Sequence, residues 1–411
     1  MRISAAVATL VVLGAAVTAR PPSVSPQSAP VPSAPQPAKP PPAKPRKPHR
    51  QVYQPKSLVD VSNARPVNVA QLEEALRESR GRSDKTIARQ LARLGLTQRF
   101  SLARVARGQS RLPGKRSRQA LALLADASTF LPLPDTDQPA LLTPTLADQK
   151  QILSRAISYL AVDLRHLPNF FAARTTEQYE EIDPDRRGDS NTPTWRHLAG
   201  HRDTVFYRDG REVATAHKRP PALPRDAAQM EVQGTFGPIL VTVFKDASHG
   251  KVRLGHWEQG PRGPVAVFRY RIPKSESHYD ITFESLTPEH LPRIVQHQPT
   301  AYHGEIGVDP ASGAILRLTL EADPDPSLPF RRSDIAIDYG LTVIGGKDYI
   351  CPVHSVAIAR AWTIAMGLDG QIDGYGDEIS TLNQTTFTNY HVFRSNSRIL
   401  LGNPPRESPQ R

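Results

Sequence analysis

The sequence predicts an α+β protein: a small amino-terminal helical block, then a curved antiparallel β-sheet, shaped like a half-barrel, with helices packed on one face. Two observations predict it. Apolar residues recur at helical spacing as far as Phe130 and again from Leu146 to Leu167, and beyond that point the period drops to two. The period-two segments follow one another through short turns, which favours an antiparallel meander over a parallel sheet with helical crossovers.

The chain opens with Arg2, a thirteen-residue apolar run from Ala5 to Val17, and the small residues Val17-Thr18-Ala19 where a signal peptidase reads. Thirteen residues are too few to span ~30 Å of hydrocarbon, which takes roughly 20. Residues 1–19 therefore read as a signal peptide cleaved after Ala19, with a retained short anchor as the alternative. No other segment approaches a membrane span, and Cys351 lies far from the leader, so no lipidated cysteine follows it. The expectation is a periplasmic or secreted protein that does not span the membrane. A single cysteine forms no disulfide within the chain, so stability must come from a packed core.

Residues 20–56 form a tether. Twelve of the 28 residues from Pro21 to Pro48 are proline, so neither helix nor sheet is accessible and an extended, polyproline-like spacer is expected.

Residues 57–134 read as a basic helical domain. Leu72, Ala75, Leu76 and Ser79 share one face; Asp84 precedes Ile87, Ala88, Leu91 and Leu94, with Gly95 as a stop; Leu102 and Val105 continue. After the Pro113-Gly114 break, Ala120, Leu121, Leu124, Ala127 and Phe130 make a fourth stripe. The stretch 84–106 superficially resembles a helix-turn-helix, a reading that export argues against. A second linker runs from Leu131 to about Pro144.

Residues 145–400 carry the sheet. Leu146, Leu153, Ile157, Leu160, Leu164 and Leu167 make a helix that Pro168 ends, followed by extended 169–174. Asp209-Gly210 between two strand-like runs is a strong hairpin signal. The segment 238–250 has a strand-like alternation, but Pro238 at a first helical position and Gly250 as a stop favour a helix. Ala266, Phe268, Tyr270 and Ile272 alternate against Val265, Val267, Arg269 and Arg271, and Tyr279, Ile281 and Phe283 do likewise. Leu316, Leu318 and Leu320 follow, then Ile335 to Val343, Tyr349 to Ile358, and Phe387 to Phe393, all as consecutive strands. Residues 401–411 read as a disordered tail.

Charge is unevenly placed. The net charge is +12, yet residues 1–56 hold eight Lys or Arg and no acid, residues 60–130 hold fourteen basic and six acidic residues, and the remainder is slightly acidic. A nucleic-acid reader would carry its positive charge on the folded domain with aromatics between, and export separates this chain from the genome, so no nucleic-acid partner is expected. An envelope polyanion, such as anionic headgroups or an acidic polymer, is the partner expected for the basic amino-terminal half; a solvated surface is the plainer alternative.

No catalytic motif is present. Cys351 and His354 fall on opposite faces of a strand, so thiol and imidazole do not meet without a bulge at Pro352, and a buried structural cysteine is expected. His197 and His201 have helical zinc spacing without the glutamate of a metalloprotease and in a segment with little helical pattern. The acidic, glycine-rich stretch 369–378 places Ser380 where a calcium loop needs glutamate, so Asp369, Asp373, Asp377 and Glu378 read as an inter-strand loop. Asp334 and Asp338 share a strand face about 13 Å apart, too far for a glycosidase pair, and are expected to face solvent. No Gly-x-Ser-x-Gly, phosphate loop or dinucleotide fingerprint occurs, so no enzyme activity, cofactor or metal is predicted.

The order of elements from 146 to 400 resembles the periplasmic lipoprotein carriers of the LolA/LolB type, with 302–313 and the strand after it similar to their strand, Asp-x-x-x-Gly turn and strand, and 335–339 similar to their late strands. Residues 112–121, 167–172 and 207–212 resemble an uncharacterised exported bacterial family over nearly the whole chain, which implies no activity. The carrier resemblance implies a lipid or other hydrophobic ligand held on the concave side of the sheet. Phe268, Tyr270, Tyr279, Ile281, Ile337 and Tyr339 are the candidate lining of that hollow. The alternative is an envelope structural or interaction protein whose sheet core is filled by its own side chains.

Overall fold

The computed structural model describes residues 7–13, 65–162, 166–182, 194–209, 211–213, 229–232, 238–248, 251–286, 294–328, 330–366 and 372–392. The tether at 20–56, the tail at 401–411 and the loop residues 369–371 lie outside them.

The amino-terminal apolar run forms β1 (Val7–Leu13), and β2 (Arg65–Val67) opens the helical block. Then come α1 (Val69–Glu78), α2 (Asp84–Leu91), β3 (Leu94–Leu96), α3 (Leu102–Gln109) and α4 (Lys115–Ala127). Asn68 and Gln71 form a reciprocal capping box on α1, and Ser83 caps α2. Asp84 accepts from the Ser117 amide at 2.9 Å and hydroxyl at 2.6 Å, satisfying the start of α4. Gly114 leaves room for that carboxylate, because a Cβ there would lie 2.5 Å from it. Gly95 does not stop α2 as expected: the helix ends at Leu91, and Gly95 sits in β3, paired in parallel with β2. Val69, Leu72, Leu76, Ile87, Leu91, Val105 and Leu121 fill the core of the block.

The sheet portion begins with α5 (Leu146–Val162), then β4 (Phe170–Glu181), β5 (Trp195–Arg208), β6 (Arg211–Val213) and β7 (Gln229–Val232). The expected hairpin joins β5 to β6, with Arg208 opposite Arg211 and Asp209 in the left-handed region at φ 52° that short polar residues tolerate. The ambiguous segment folds as α6 (Pro238–Ala247). Then follow β8 (Lys251–Gly260), β9 (Gly263–Ile272), β10 (Asp280–Leu286), β11 (Ile294–Pro299), β12 (Ala301–Val308) and β13 (Ile315–Asp323). The last three strands are β14 (Phe330–Ile344), β15 (Lys347–Met366) and β16 (Ile372–Val392).

Ten strands make one open antiparallel sheet in the order β6-β5-β4-β16-β15-β14-β13-β12-β9-β8. The meander β12 to β16 is the predicted one, and β4 to β6 extend it beyond β16. The expected strand at 279–283 leaves this meander. It lies at β10, which pairs with β11 and, in parallel, with β1, in a separate sheet ordered β11-β10-β1-β7. That excursion lets β9 pair directly with β12.

Both faces of the large sheet are covered. Ile152 and Ala156 of α5, with Ile239, Leu240 and Val243 of α6, pack onto the apolar residues of β9, β12, β13 and β14. On the other face, Leu123, Ala127 and Phe130 of the helical block pack with Tyr179, Val356, Ile358 and Leu382 of the sheet. Period two tells which residues share a face but not what lies over it, so the second cover was not legible in the strand pattern.

Candidate functional site

The six residues predicted to line a hollow are brought together. Phe268, Tyr270, Tyr279, Ile281, Ile337 and Tyr339 share one buried cluster with α5 and α6, none more than 8% exposed. Tyr302 lies among them, edge-on to Tyr270 at 5.9 Å and tilted against Tyr279 at 5.6 Å. Its hydroxyl donates to buried Asp246 at 2.8 Å. The Tyr270 hydroxyl crosses the bare backbone of Gly304 to donate to the Thr319 carbonyl at 2.6 Å, so both hydroxyls are satisfied by protein.

The other sequence candidates separate. Cys351 is buried with Phe170, Tyr207 and Tyr390 at one end of the sheet, and burial pushes its thiol up to about 12. His197 lies on a strand and pairs with Glu177 at 2.7 Å. Of the acidic stretch, Asp373, Asp377 and Glu378 fall within β16 rather than in a loop. Among the described residues no group of three or more His, Cys, Asp or Glu could hold a metal, and no helix is long and apolar enough to cross a membrane.

Asp334 and Asp338, expected to face solvent, are buried at 4% and 8% exposure, because the helical block covers their face. Arg332 pairs with Asp334 and lies 5.5 Å over the Phe130 ring. Asp338 anchors a polar network across the interface. His354 sits between Asp338 at 3.4 Å and Asp126 of α4 at 3.3 Å, and Gln384 also donates to Asp126. Arg317 donates to Asp338 at 2.6 Å and reaches the Thr129 hydroxyl at 2.8 Å and carbonyl at 3.1 Å. Burial pushes the imidazole of His354 down, but the two carboxylates outweigh it and raise it to about 10. Burial likewise raises Asp338, and Arg317 with His354 more than reverse this, holding it at about 2. The network is thus two buried carboxylates compensated by an imidazolium and a guanidinium.

This network fixes the stretch that follows α4. Thr129 is held by Arg317, the Pro132 carbonyl by the Arg99 amide at 2.9 Å, and Asp137 by the Arg104 guanidinium at 2.8 Å. Residues 131–138, read from the sequence as linker, are therefore a fixed wall. Between this wall and the polar face of β8, β9, β12 and β13 lies a cleft of about 840 Å³, within the size range of small-molecule sites.

The cleft is cationic. Lys251 and Arg253 of β8, Arg269 and Arg271 of β9 and Arg99 of the helical block line it, against the carboxylates Glu305 and Glu321. Arg269 donates to Glu305 at 3.0 Å, Arg271 lies 3.4 Å from Asp323, and Arg99 pairs with Glu258. Among the described residues Lys251 and Arg253 have no ion-pair partner. A bulge in β8 between Leu254 and His256, at Gly255, shifts the register so that His256 joins the cleft face. Burial lowers the pKa of His256 against the opposing pull of Glu305 and Glu258, leaving a neutral ring. Among the described residues both its ring nitrogens are buried without a hydrogen-bond partner, Glu305 standing 4.0 Å from Nδ1, and the same holds for Nε of Arg99, a residue only 4% exposed. Burial beside Asp334 pushes the carboxyl of Glu321 up. Buried polar atoms left unpaired are costly and rare, so their concentration on one cleft marks it as the candidate binding site.

Sequence reasoning missed this site. Arg269 and Arg271 were visible as the polar half of an alternation, but β8, which adds Lys251, Arg253 and His256, was not recognised, because its bulge interrupts the period.

No protein-family model and no curated protein matches the chain. Among solved structures, a DUF1329 family protein from Desulfovibrio piger is similar over 59% of this chain and 92% of its own, at 9% identity and a TM-score of 0.26. A chain of the Pseudomonas aeruginosa MucA/MucB complex is similar over 57% of this chain and 93% of its own, at 13% identity and a TM-score of 0.20.

Proposed function

We propose that this chain is an exported, non-enzymatic envelope protein that binds a ligand bearing an anionic group in the cleft between its helical block and its sheet. One observation carries the reading: five cationic side chains line a preformed cleft in which both ring nitrogens of His256 and Nε of Arg99 are buried without a hydrogen bond among the described residues. Export rests on the leader composition of residues 1–19.

The reading puts the anion partner expected for the basic amino-terminal half partly on the sheet, since among the described residues Arg99 is the one cleft cation from the helical block. It also favours a filled core over a lipid hollow: the six apolar candidates are buried against α5 and α6. Native mass spectrometry of the purified protein with lipid extraction is expected to find no co-purifying acyl ligand; a stoichiometric lipid would overturn that part.

The cleft itself is tested by calorimetric titration with inorganic phosphate at low and high ionic strength. Saturable binding that weakens with salt is expected. The double variant Lys251→Glu/Arg253→Glu should abolish it, because among the described residues these cations have no ion-pair partner to lose. Binding unchanged in that variant would contradict the proposal.

A further inference from the structure

The cleft is not uniformly cationic, and its division points to a more specific ligand. Four cations, Lys251, Arg253, Arg269 and Arg271, come from adjacent strands at one side. On β12 and β13 the floor instead presents Glu305 and Glu321, with His303 directly opposite Glu321 in register. The facing wall, Phe130 to Leu133, is apolar. A contiguous polyanion would meet the carboxylates after filling the cationic side. An acyl chain would find only one apolar wall. A simple anion on these cations would lie beside His256 without satisfying its ring nitrogens and would leave the acidic floor unused.

Resting on the anion-binding reading above, we propose that the ligand is an acidic saccharide: a sugar unit carrying one carboxylate or phosphate. The acid lies on the β8–β9 cations. The hydroxyls donate to the floor carboxylates, and one of them meets His256, whose neutral ring offers one donor and one acceptor to a group that is also both. The C–H face of the ring packs against Phe130 and Pro132. The unpartnered nitrogens of His256 and Arg99 are thereby satisfied by the ligand and not by the protein.

The experiment is calorimetry on the full mature chain with four probes: D-glucuronate, glucose 6-phosphate, glucose and inorganic phosphate. At least one acidic sugar should bind about tenfold or more tightly than both glucose and inorganic phosphate, the scale of one or two charge-assisted hydrogen bonds. His256→Ala should remove that advantage while leaving phosphate affinity in place, which also reports that the variant is folded. If phosphate binds as tightly as the acidic sugars, the saccharide inference fails and anion binding stands. If no probe binds, both fail.

Discussion

Among single residues, His354 decides how firmly the helical block is held. Its imidazole lies 3.3–3.4 Å from two buried carboxylates, Asp126 and Asp338, and a neutral ring, with one N–H, would keep only one of the two hydrogen bonds and lose the charge that compensates them. Its pKa rises from 6.5 to about 10 on folding, so its contribution is full below about 6.5 and is lost as pH climbs toward 10. Asp338 works in the other direction. Its pKa falls from 3.8 to about 2, so its contribution is present above about 3.8 and lost as pH falls toward 2. Stability from this network is therefore greatest between those limits. Urea unfolding is expected to show wild-type stability declining from pH 7 to 10. His354→Gln should lack that decline and cost ~3 kcal/mol or more at pH 6, as for a buried ion pair with one partner removed; a cost under about 0.5 kcal/mol would contradict the assignment. Cys351 tests burial independently. With its thiol pushed to about 12, it should resist alkylation at pH 8 in the native protein and react promptly after unfolding.

Among elements, the crossing of β9, β12 and β13 is the most constrained. A Cβ on Gly304 would lie 2.0 Å from the Thr319 carbonyl and 2.8 Å from the Tyr270 hydroxyl, so Gly304→Ala must break the Tyr270–Thr319 bond or shift the strands. A loss of ~3 kcal/mol is expected by thermal or urea unfolding, with a neutral result contradicting the packing. Much at this scale was legible. The stripes at Leu72–Leu76, Ile87–Leu91 and Leu121–Leu124 gave the short helices, and Asp209-Gly210 gave the hairpin. The alternation at 335–343 marked β14. The site was not legible, for two physical reasons. The bulge at Gly255 breaks the alternation that would have shown β8 and hides the side on which His256 emerges. Arg317, Asp338 and His354 look like the exposed half of an alternating pattern, and only the docking of α4 from more than 180 residues away buries them. Local period reports a face, while its cover is a long-range fact.

For the whole molecule, two covers sandwich one open sheet, and they differ in character. The cover of α5 and α6 is apolar and closes a core, whereas the helical block meets the sheet through a smaller apolar cluster joined to an ion network and leaves a cationic cleft beside it. Among the described residues β1, from the amino-terminal apolar run, pairs with β10 and β7 and shares no ladder with the ten-stranded sheet. A chain lacking residues 1–19 should therefore keep the ten-stranded sheet and lose only the pairings of β1, a small drop in the sheet signal by circular dichroism, and loss of most of that signal would show that these residues are structural. The central claim, that the cleft is a built anion site, is met most directly by following the histidine imidazole resonances by NMR during titration with inorganic phosphate at low ionic strength. The account predicts that the His256 signals shift saturably, that those of His354 stay fixed, and that the shift vanishes in Lys251→Glu/Arg253→Glu. Stationary His256 signals, or an equal shift in the double variant, would contradict it.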